Sequence, residues 1–230
     1  MSEQVLNTEL VNEMTKAGLI SGHKRSRTHP RMKPFIISNR NEIEIIDPSA
    51  TIDGLNKAVK ALKEKLATGG LVLFVGTSAA AKVAITDLAT MLKMPYVTNR
   101  WLGGTLTNFS VINGRLNYYE DLKSKKEKGL LAKYTKKEQL EFTKSIQKSS
   151  KNFDGLISLT RRPDLLFIVD IKLHETALKE AKLMKTPVIA VVDTDDNPEL
   201  VTYPIFANDH GRSSINWLVE KIKLGLKNGE

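Results

Sequence analysis

Three runs of consecutive apolar residues, LVLFVG at 71–76, LLFIVD at 165–170 and PVIAVVD at 187–193, constrain this chain more than anything else in it. They have strand length and no polar alternation, the pattern of strands covered on both faces. Helical patterns lie between them. Ile52, Leu55, Val59, Leu62 and Leu66 recur at three- and four-residue spacing and are closed by Gly69 and Gly70, an amphipathic helix with a glycine stop. An Ala-rich helix reaches about Lys93, and PYVT follows as a short strand. Later come a helix opened by His174 and ending at Lys185, a short strand near YPIFA, and a last helix with Ile215, Leu218, Val219 and Ile222 on one face. Strands alternating with helices require right-handed crossovers and a mainly parallel sheet. The expected fold is α/β, a Rossmann-like parallel sheet flanked by helices. EIEIID, from residue 42, alternates polar and apolar residues and is expected to be its first, half-buried strand.

Between Leu106 and Asn152 the strand signal vanishes. Two helical stretches, about 106–128 and 136–151, flank GLLAKY, and Thr135 precedes Glu138 at capping-box spacing. An inserted helical hairpin is expected, a coiled-coil-like arm. Leu116, Tyr119, Leu122, Leu140, Phe142 and Ile146 would form its seam, with the lysines outside. The chain then divides into a basic N-terminal segment (1–41), a Rossmann-like α/β domain (42–105 and 153–230) and the inserted hairpin (106–152).

Composition narrows the function. With 41% hydrophobic and 27% charged residues the chain has an ordinary globular make-up. It has no cysteine, which excludes disulfides, thiolate nucleophiles and Cys-containing zinc sites. Its apolar runs are too short to span a bilayer, so no membrane partner is expected. The first twenty residues, with three Glu, one Lys and no continuous apolar core, do not read as a secretory signal; a cytoplasmic protein is expected.

The net charge of +9 is unevenly placed. Residues 21–40 hold Lys24, Arg25, Arg27, Arg31, Lys33 and Arg40 with no acid, and residues 121–151 hold ten Lys against Asp121, Glu127, Glu138 and Glu141. These two stretches carry +12, so the remaining residues sum to −3. Basic appendages on a nearly neutral body are the footprint of a polyanion binder. Lys24, Arg25, Arg27, Arg31 and Lys33 are the expected phosphate contacts, with Arg100 and the arm residues Lys123, Lys125 and Lys126 as further candidates. A solvated helix face accounts equally well for the arm lysines. Pro30 and Pro34 favour an extended segment able to lie along a groove.

Open parallel sheets bind ligands beyond the carboxyl ends of their strands. There the sequence places Gly76-Thr77-Ser78, Asn99-Arg100-Trp101, Asp170, Asp193 to Asn197, and Asn208-Asp209-His210. Asp193, Asp195 and Asp209, with Asp170 and Asp196, could hold a structural magnesium ion, the basis of an alternative reading as a magnesium-dependent phosphoryl-group enzyme. Capping and turn roles for these aspartates need no ion and are preferred. GTSAAAKV departs from a phosphate loop, with Ala81 in place of the second glycine and Val83 in place of the metal-binding hydroxyl, and no G-x-G-x-x-G occurs. The four histidines, 23, 29, 174 and 210, show no metal-ligand spacing; His23 and His29 are expected at the surface or on RNA. No catalytic residue and no cofactor is assigned. Trp101 is expected to be a buried anchor of its loop onto the hairpin, with base stacking the other reading. Gly103 and Gly104 would allow the sharp turn into the arm.

Taken together, GHKRSRTHPRMKPFI (22–36), NEIEIID, PYVTNRWLGGTLTNF (95–109), PDLLFIVD (163–170) and PVIAVVDTDDNP (187–198) resemble the bacterial form of the small ribosomal subunit protein S2 family. NRWLGGTLTN is the most specific segment, and order and spacing agree from about residue 15 to 226. The resemblance implies a non-enzymatic structural protein, ribosome-bound in the cytoplasm and not a homo-oligomer. It would contact small-subunit rRNA near the junction of head and body. Its neighbours would be other small-subunit proteins, among them the mRNA-binding protein of repeated OB domains, whose docking it would support. The chain departs from the family at Ile20-Ser21, where an aromatic and a second His are usual, and at Thr28-His29, where a Trp-Asn pair is common. It ends at Glu230 without the acidic tail of many relatives, so no role of that tail is carried over.

Overall fold

The computed structural model describes residues 8–227; residues 1–7 and 228–230, the outer ends of the expected N-terminal segment and α/β domain, lie outside the described residues. After α1 (Thr8–Lys16) come three short strands, β1 (Ser21–Lys24), β2 (Ile36–Arg40) and β3 (Ile43–Ile46). α2 (Pro48–Ala67), β4 (Val72–Val75), α3 (Lys82–Met91) and β5 (Tyr96–Val97) follow, and then the arm, α4 (Phe109–Glu127) and α5 (Lys136–Phe153). β6 (Leu165–Val169), α6 (Glu175–Leu183), β7 (Val188–Val192), β8 (Tyr203–Phe206) and α7 (Arg212–Lys227) complete the body.

β4 to β8 form a parallel five-stranded sheet in the order β5-β4-β6-β7-β8. The direction of winding reverses between β4 and β6, so the expected Rossmann-like architecture is present, with its switch point there. Side chains alternate along each strand as strand geometry requires. Val72, Phe74, Leu165, Phe167, Ile189 and Val191 face one core, closed by Leu55, Leu62, Ile85, Leu88, Leu218 and Ile222 of α2, α3 and α7. Leu73, Val75, Leu166, Ile168, Ala190 and Val192 face the other, closed by Leu178 and Ala181 of α6 and by Leu116, Tyr119, Ile146 and Phe153 at the root of the arm.

The N-terminal region differs from expectation. β3 is the predicted EIEIID strand, but it pairs antiparallel with β1 and β2 in a separate sheet of order β1-β3-β2, whose strands lie on both sides of residue 41. Asn41 (φ 51°) and Glu42 (φ 66°) make the tight turn between β2 and β3, a left-handed pair that Asn tolerates well. Nor is the proline segment extended: Pro30–Phe35 forms a 3-10 turn. Proline's φ suits a first helical turn as well as an extended chain. His29 Nδ1 accepts from Arg31 N at 3.2 Å, capping the turn, and the fully buried Met32 draws it onto the body.

In the arm the capping box forms, Thr135 N donating to Glu138 Oε2 at 2.9 Å and Glu138 N to Thr135 Oγ1 at 3.4 Å. Leu116, Tyr119, Leu122 and Ile146 are buried and Phe142 is half-buried, but Leu140 is 55% exposed. Six residues separate Leu140 from Ile146, about 120° around a helix of 3.6 residues per turn, so Leu140 leaves the seam. Gln139 takes its place, donating to the Tyr134 carbonyl at 2.8 Å.

Candidate functional site

The switch point between β4 and β6, where this sheet type takes its ligands, is filled from within. His174 is buried at the N-cap of α6. Its Nδ1 donates to the Asp170 carbonyl at 2.7 Å and its Nε2 accepts from Thr77 N at 3.3 Å, with Thr77 Oγ1 at 3.0 Å. Burial lowers its pKa and keeps it neutral, which suits this tautomer. The ring bridges the ends of the two strands. Beneath it a Cβ on Gly76 would meet Ile85 Cγ1 at 2.8 Å, so that turn is packed against α3 and offers no cradle for phosphate.

The aspartates gather beyond β6, β7 and β8, and β1 brings His23 against them. Part of their bonding is local: Asp170 Oδ1 accepts from Leu173 N at 2.8 Å, Asp193 Oδ1 from Thr194 N at 2.6 Å and Asp196 Oδ2 from Asp193 N at 3.0 Å. The expected turn roles are thus present. Burial, with the charge of Asp209 beside it, pushes Asp196 up to about 8. Asp209 rises to about 6, again chiefly by burial. His210 Nδ1 contacts Asp209 Oδ1, and that bond raises the imidazole to about 9. His23 Nδ1 lies 3.2 Å from Asp193 Oδ2 and 3.5 Å from Asp195 Oδ1, and its pKa is raised principally by Asp193. The rings of His23 and His210 stand edge to face with centroids 5.0 Å apart.

This arrangement corrects two expectations. His23 does not join the outward basic surface, and two histidines without motif spacing do meet. Magnesium, proposed at Asp193, Asp195 and Asp209, does not fit the donor set. The groups that converge mix imidazole nitrogen with carboxylate, whereas magnesium takes oxygen ligands. Asp195 is instead ion-paired with Lys172.

The strand β1 reaches this cluster through Gly22, where a Cβ would lie 2.3 Å from Thr194 Cγ2. That closeness lets His23 N donate to Thr194 Oγ1 at 2.7 Å and His29 N to the Thr194 carbonyl at 2.9 Å. Just outside, Lys24, Arg25 and Arg27 are exposed, as is Lys33 on the following turn. A shallow groove is lined by Arg25, Lys33, Asn39 and Glu44. Arg31 is ion-paired with Glu199. Arg100 is exposed on the loop after β5. On the arm, Lys125 bonds Asp121 at 2.5 Å, Lys123 lies 3.7 Å from Asp154, and Lys126 is exposed.

The loop after β5 is organised by a residue that local reading of the sequence does not single out. Glu180, on α6, accepts from Trp101 Nε1 (3.0 Å), Gly104 N (2.8 Å), Leu106 N (3.0 Å), Thr107 N (3.2 Å) and Thr107 Oγ1 (3.1 Å). Burial alone would raise the pKa of this carboxylate, but the hydrogen bonds outweigh it and hold the value below normal. Trp101 is buried, and its polar anchor is α6 of the body instead of the hairpin. Of the two glycines only Gly104 has a left-handed backbone, at φ 90°; Gly103 is exposed.

The family model described as "Ribosomal protein S2" matches residues 14–229. This chain belongs to the ribosomal protein S2 family. The small ribosomal subunit protein uS2 of Fusobacterium nucleatum is 38% identical over 220 residues, covering 95% of this chain and 89% of that protein. Those of Dictyoglomus thermophilum and Roseiflexus sp. are 40% and 42% identical over 221 and 209 residues, covering 96% and 91% of this chain and 90% and 80% of theirs. As a member of the S2 family the chain is a structural protein and no enzyme, which sets aside the phosphoryl-transfer alternative.

Within this S2-family chain, Glu180 and the meeting of His23 with His210 are what local reading of the sequence missed. The one hint for Glu180 was an acidic residue among the apolar positions of a helix, between Leu178 and Ala181, both buried.

Proposed function

We propose that this chain is a structural constituent of the small ribosomal subunit, ribosome-bound in the cytoplasm, and binds small-subunit rRNA through its basic N-terminal sheet. The observation that carries the reading is that Lys24, Arg25, Arg27 and Lys33 project outward with no acid between them in sequence, while His23 turns inward. Such residues neutralise phosphates and release counterions, so binding weakens steeply with salt. The guanidinium groups also fix orientation by forked contacts. Arg100 and the arm residues Lys123, Lys125 and Lys126 extend the contact; of these, Lys125 and Lys123 are already matched to acids and contribute less. The place near the head-body junction, the neighbouring small-subunit proteins and the docking of the OB-repeat mRNA-binding protein come with the family resemblance, as does the absence of a homo-oligomer.

Reconstitution tests this reading. Replacing Arg25, Arg27 and Lys33 together by Ala is expected to weaken incorporation into the small subunit and to lower the salt slope of rRNA binding by about 0.9 for each phosphate no longer neutralised. A triple variant that binds and assembles like the wild type at every salt concentration refutes the assignment. Sedimentation of a cell extract, with the chain found stoichiometric in small subunits, separates a ribosomal constituent from a free RNA-binding regulator.

A further inference from the structure

We infer that the outer half of the arm is a stacking platform for unpaired RNA bases, with Tyr118 and Tyr134 as its aromatic faces and Lys133 and Lys125 as its phosphate contacts. The inference rests on the reading of the arm as part of the rRNA contact and names the form of RNA it takes, single-stranded and not duplex. Tyr118 and Tyr119 are neighbours on α4 with opposite fates. Tyr119 is buried and its hydroxyl donates to Asp154 Oδ1 at 2.5 Å, so its place in the fold is accounted for. Tyr118 is 59% exposed and takes no part in the seam. Lys125, seven residues on, lies about 10 Å farther along the same side of the helix. Tyr134 follows the 3-10 turn Leu130–Lys133 at the tip and is 37% exposed. Both phenols are close enough to act on the Lys125 ammonium, so α4 and the connection to α5 share one aromatic and basic surface.

The geometry and the charge of this surface both favour RNA bases. A single exposed aromatic is ordinary, but two gathered about one lysine are not scattered apolar surface. Phe142 meets the Tyr134 ring edge to face with centroids 5.2 Å apart, which fixes how that ring is presented. Lys133 Nζ lies 5.5 Å from the Tyr134 centroid, a loose cover on a flexible stem that can turn to a phosphate as a base takes its place. Lys125 is bonded to Asp121 in an exposed pair, which is weak in water and yields to a polyanion. The surroundings carry the matching charge, since residues 121–151 hold ten Lys against four acids. Any base can stack on an aromatic ring, but a duplex keeps its bases stacked on one another. A platform of this kind therefore takes single strands, loops or bulges and is tolerant of their sequence.

The full chain is titrated at several salt concentrations with a labelled oligoadenylate, with the same strand annealed to oligouridylate, and with an abasic sugar-phosphate strand. Tyr118→Ala alters an exposed side chain and leaves the seam intact. It should weaken oligoadenylate binding about fivefold or more without changing the salt slope, because stacking releases no counterions. Tyr118→Phe/Tyr134→Phe keeps both rings and should bind like the wild type. Lys133→Ala should instead lower the slope by about 0.7, the value for one phosphate of a single strand. On the duplex and on the abasic strand Tyr118→Ala and the wild type should bind alike. Oligoadenylate binding by Tyr118→Ala that equals the wild type, or a loss of the same size on the abasic strand, overturns the proposal. A Tyr118→Ala chain that binds RNA normally but fails to enter the small subunit assigns the tyrosine to a protein neighbour and overturns it as well. A wild type that binds rRNA but no oligoadenylate refutes the platform alone, whereas one that binds no rRNA refutes the broader reading with it.

Discussion

Trp101 Nε1 donates to Glu180 Oε1 at 3.0 Å, and through that carboxylate α6 holds the whole turn from Trp101 to Thr107. Glu180→Ala leaves the indole and three backbone N–H groups without their acceptor. A loss of about 3 kcal/mol in urea unfolding is expected. Glu180→Gln should lie between, since one amide oxygen still accepts. A Glu180→Ala variant within about 0.5 kcal/mol of wild type refutes this role.

His174 sets a pH dependence. Its folded pKa lies below the ordinary value of 6.5, so between the two the unfolded chain binds more protons and stability falls as pH drops below 6.5. Above that pH the contribution is constant. Measured against His174→Gln, the wild-type advantage should shrink between about pH 7.5 and 5; the subtraction removes His23 and His210, whose raised values act in the opposite sense. An advantage that grows on acidification contradicts the neutral assignment.

Gly22→Ala would drive a methyl into Thr194, 2.3 Å from its Cγ2. The strand must retreat from the cluster, at a cost of about 1–3 kcal/mol. Hydrogen exchange at the His23 amide, which donates to Thr194 Oγ1, should accelerate. Gly22→Ala/Thr194→Ser, lacking the Cγ2 methyl, should recover part of the loss, and a single variant as stable as wild type would show that the approach is not needed.

In the arm, Leu116 and Leu140 should behave oppositely despite their similar chemistry. Leu116→Ala empties a buried seam position and should cost about 2–5 kcal/mol, whereas Leu140→Gln should stay within about 0.5 kcal/mol. Equal effects in denaturant unfolding would invalidate the seam.

The βα alternation and the capping box were readable because strand and helix periods and cap spacings are local, complete within a few residues of LVLFVG or Thr135-Glu138. Leu140 was misplaced because an apolar residue counts toward a seam in sequence whatever its helical phase. Pro30–Phe35 was misread because proline's φ suits both an extended chain and a first helical turn, and only the burial of Met32 chooses between them. Gly104 showed its backbone need, but the reason Trp101 is buried there lies on another helix.

The sequence by itself determined the class of fold, the inserted arm, the two basic stretches and, through NRWLGGTLTN and its companions, the family. All of these are properties of pattern, composition or order along the chain. Tertiary structure alone decided that β3 joins a separate sheet, that Glu180 receives the Trp101 loop, that His174 fills the ligand crevice, and that His23 and His210 meet over Asp193. Each of these depends on residues distant in sequence being brought within hydrogen-bond or ligand distance, and that approach follows from how the sheets and helices pack.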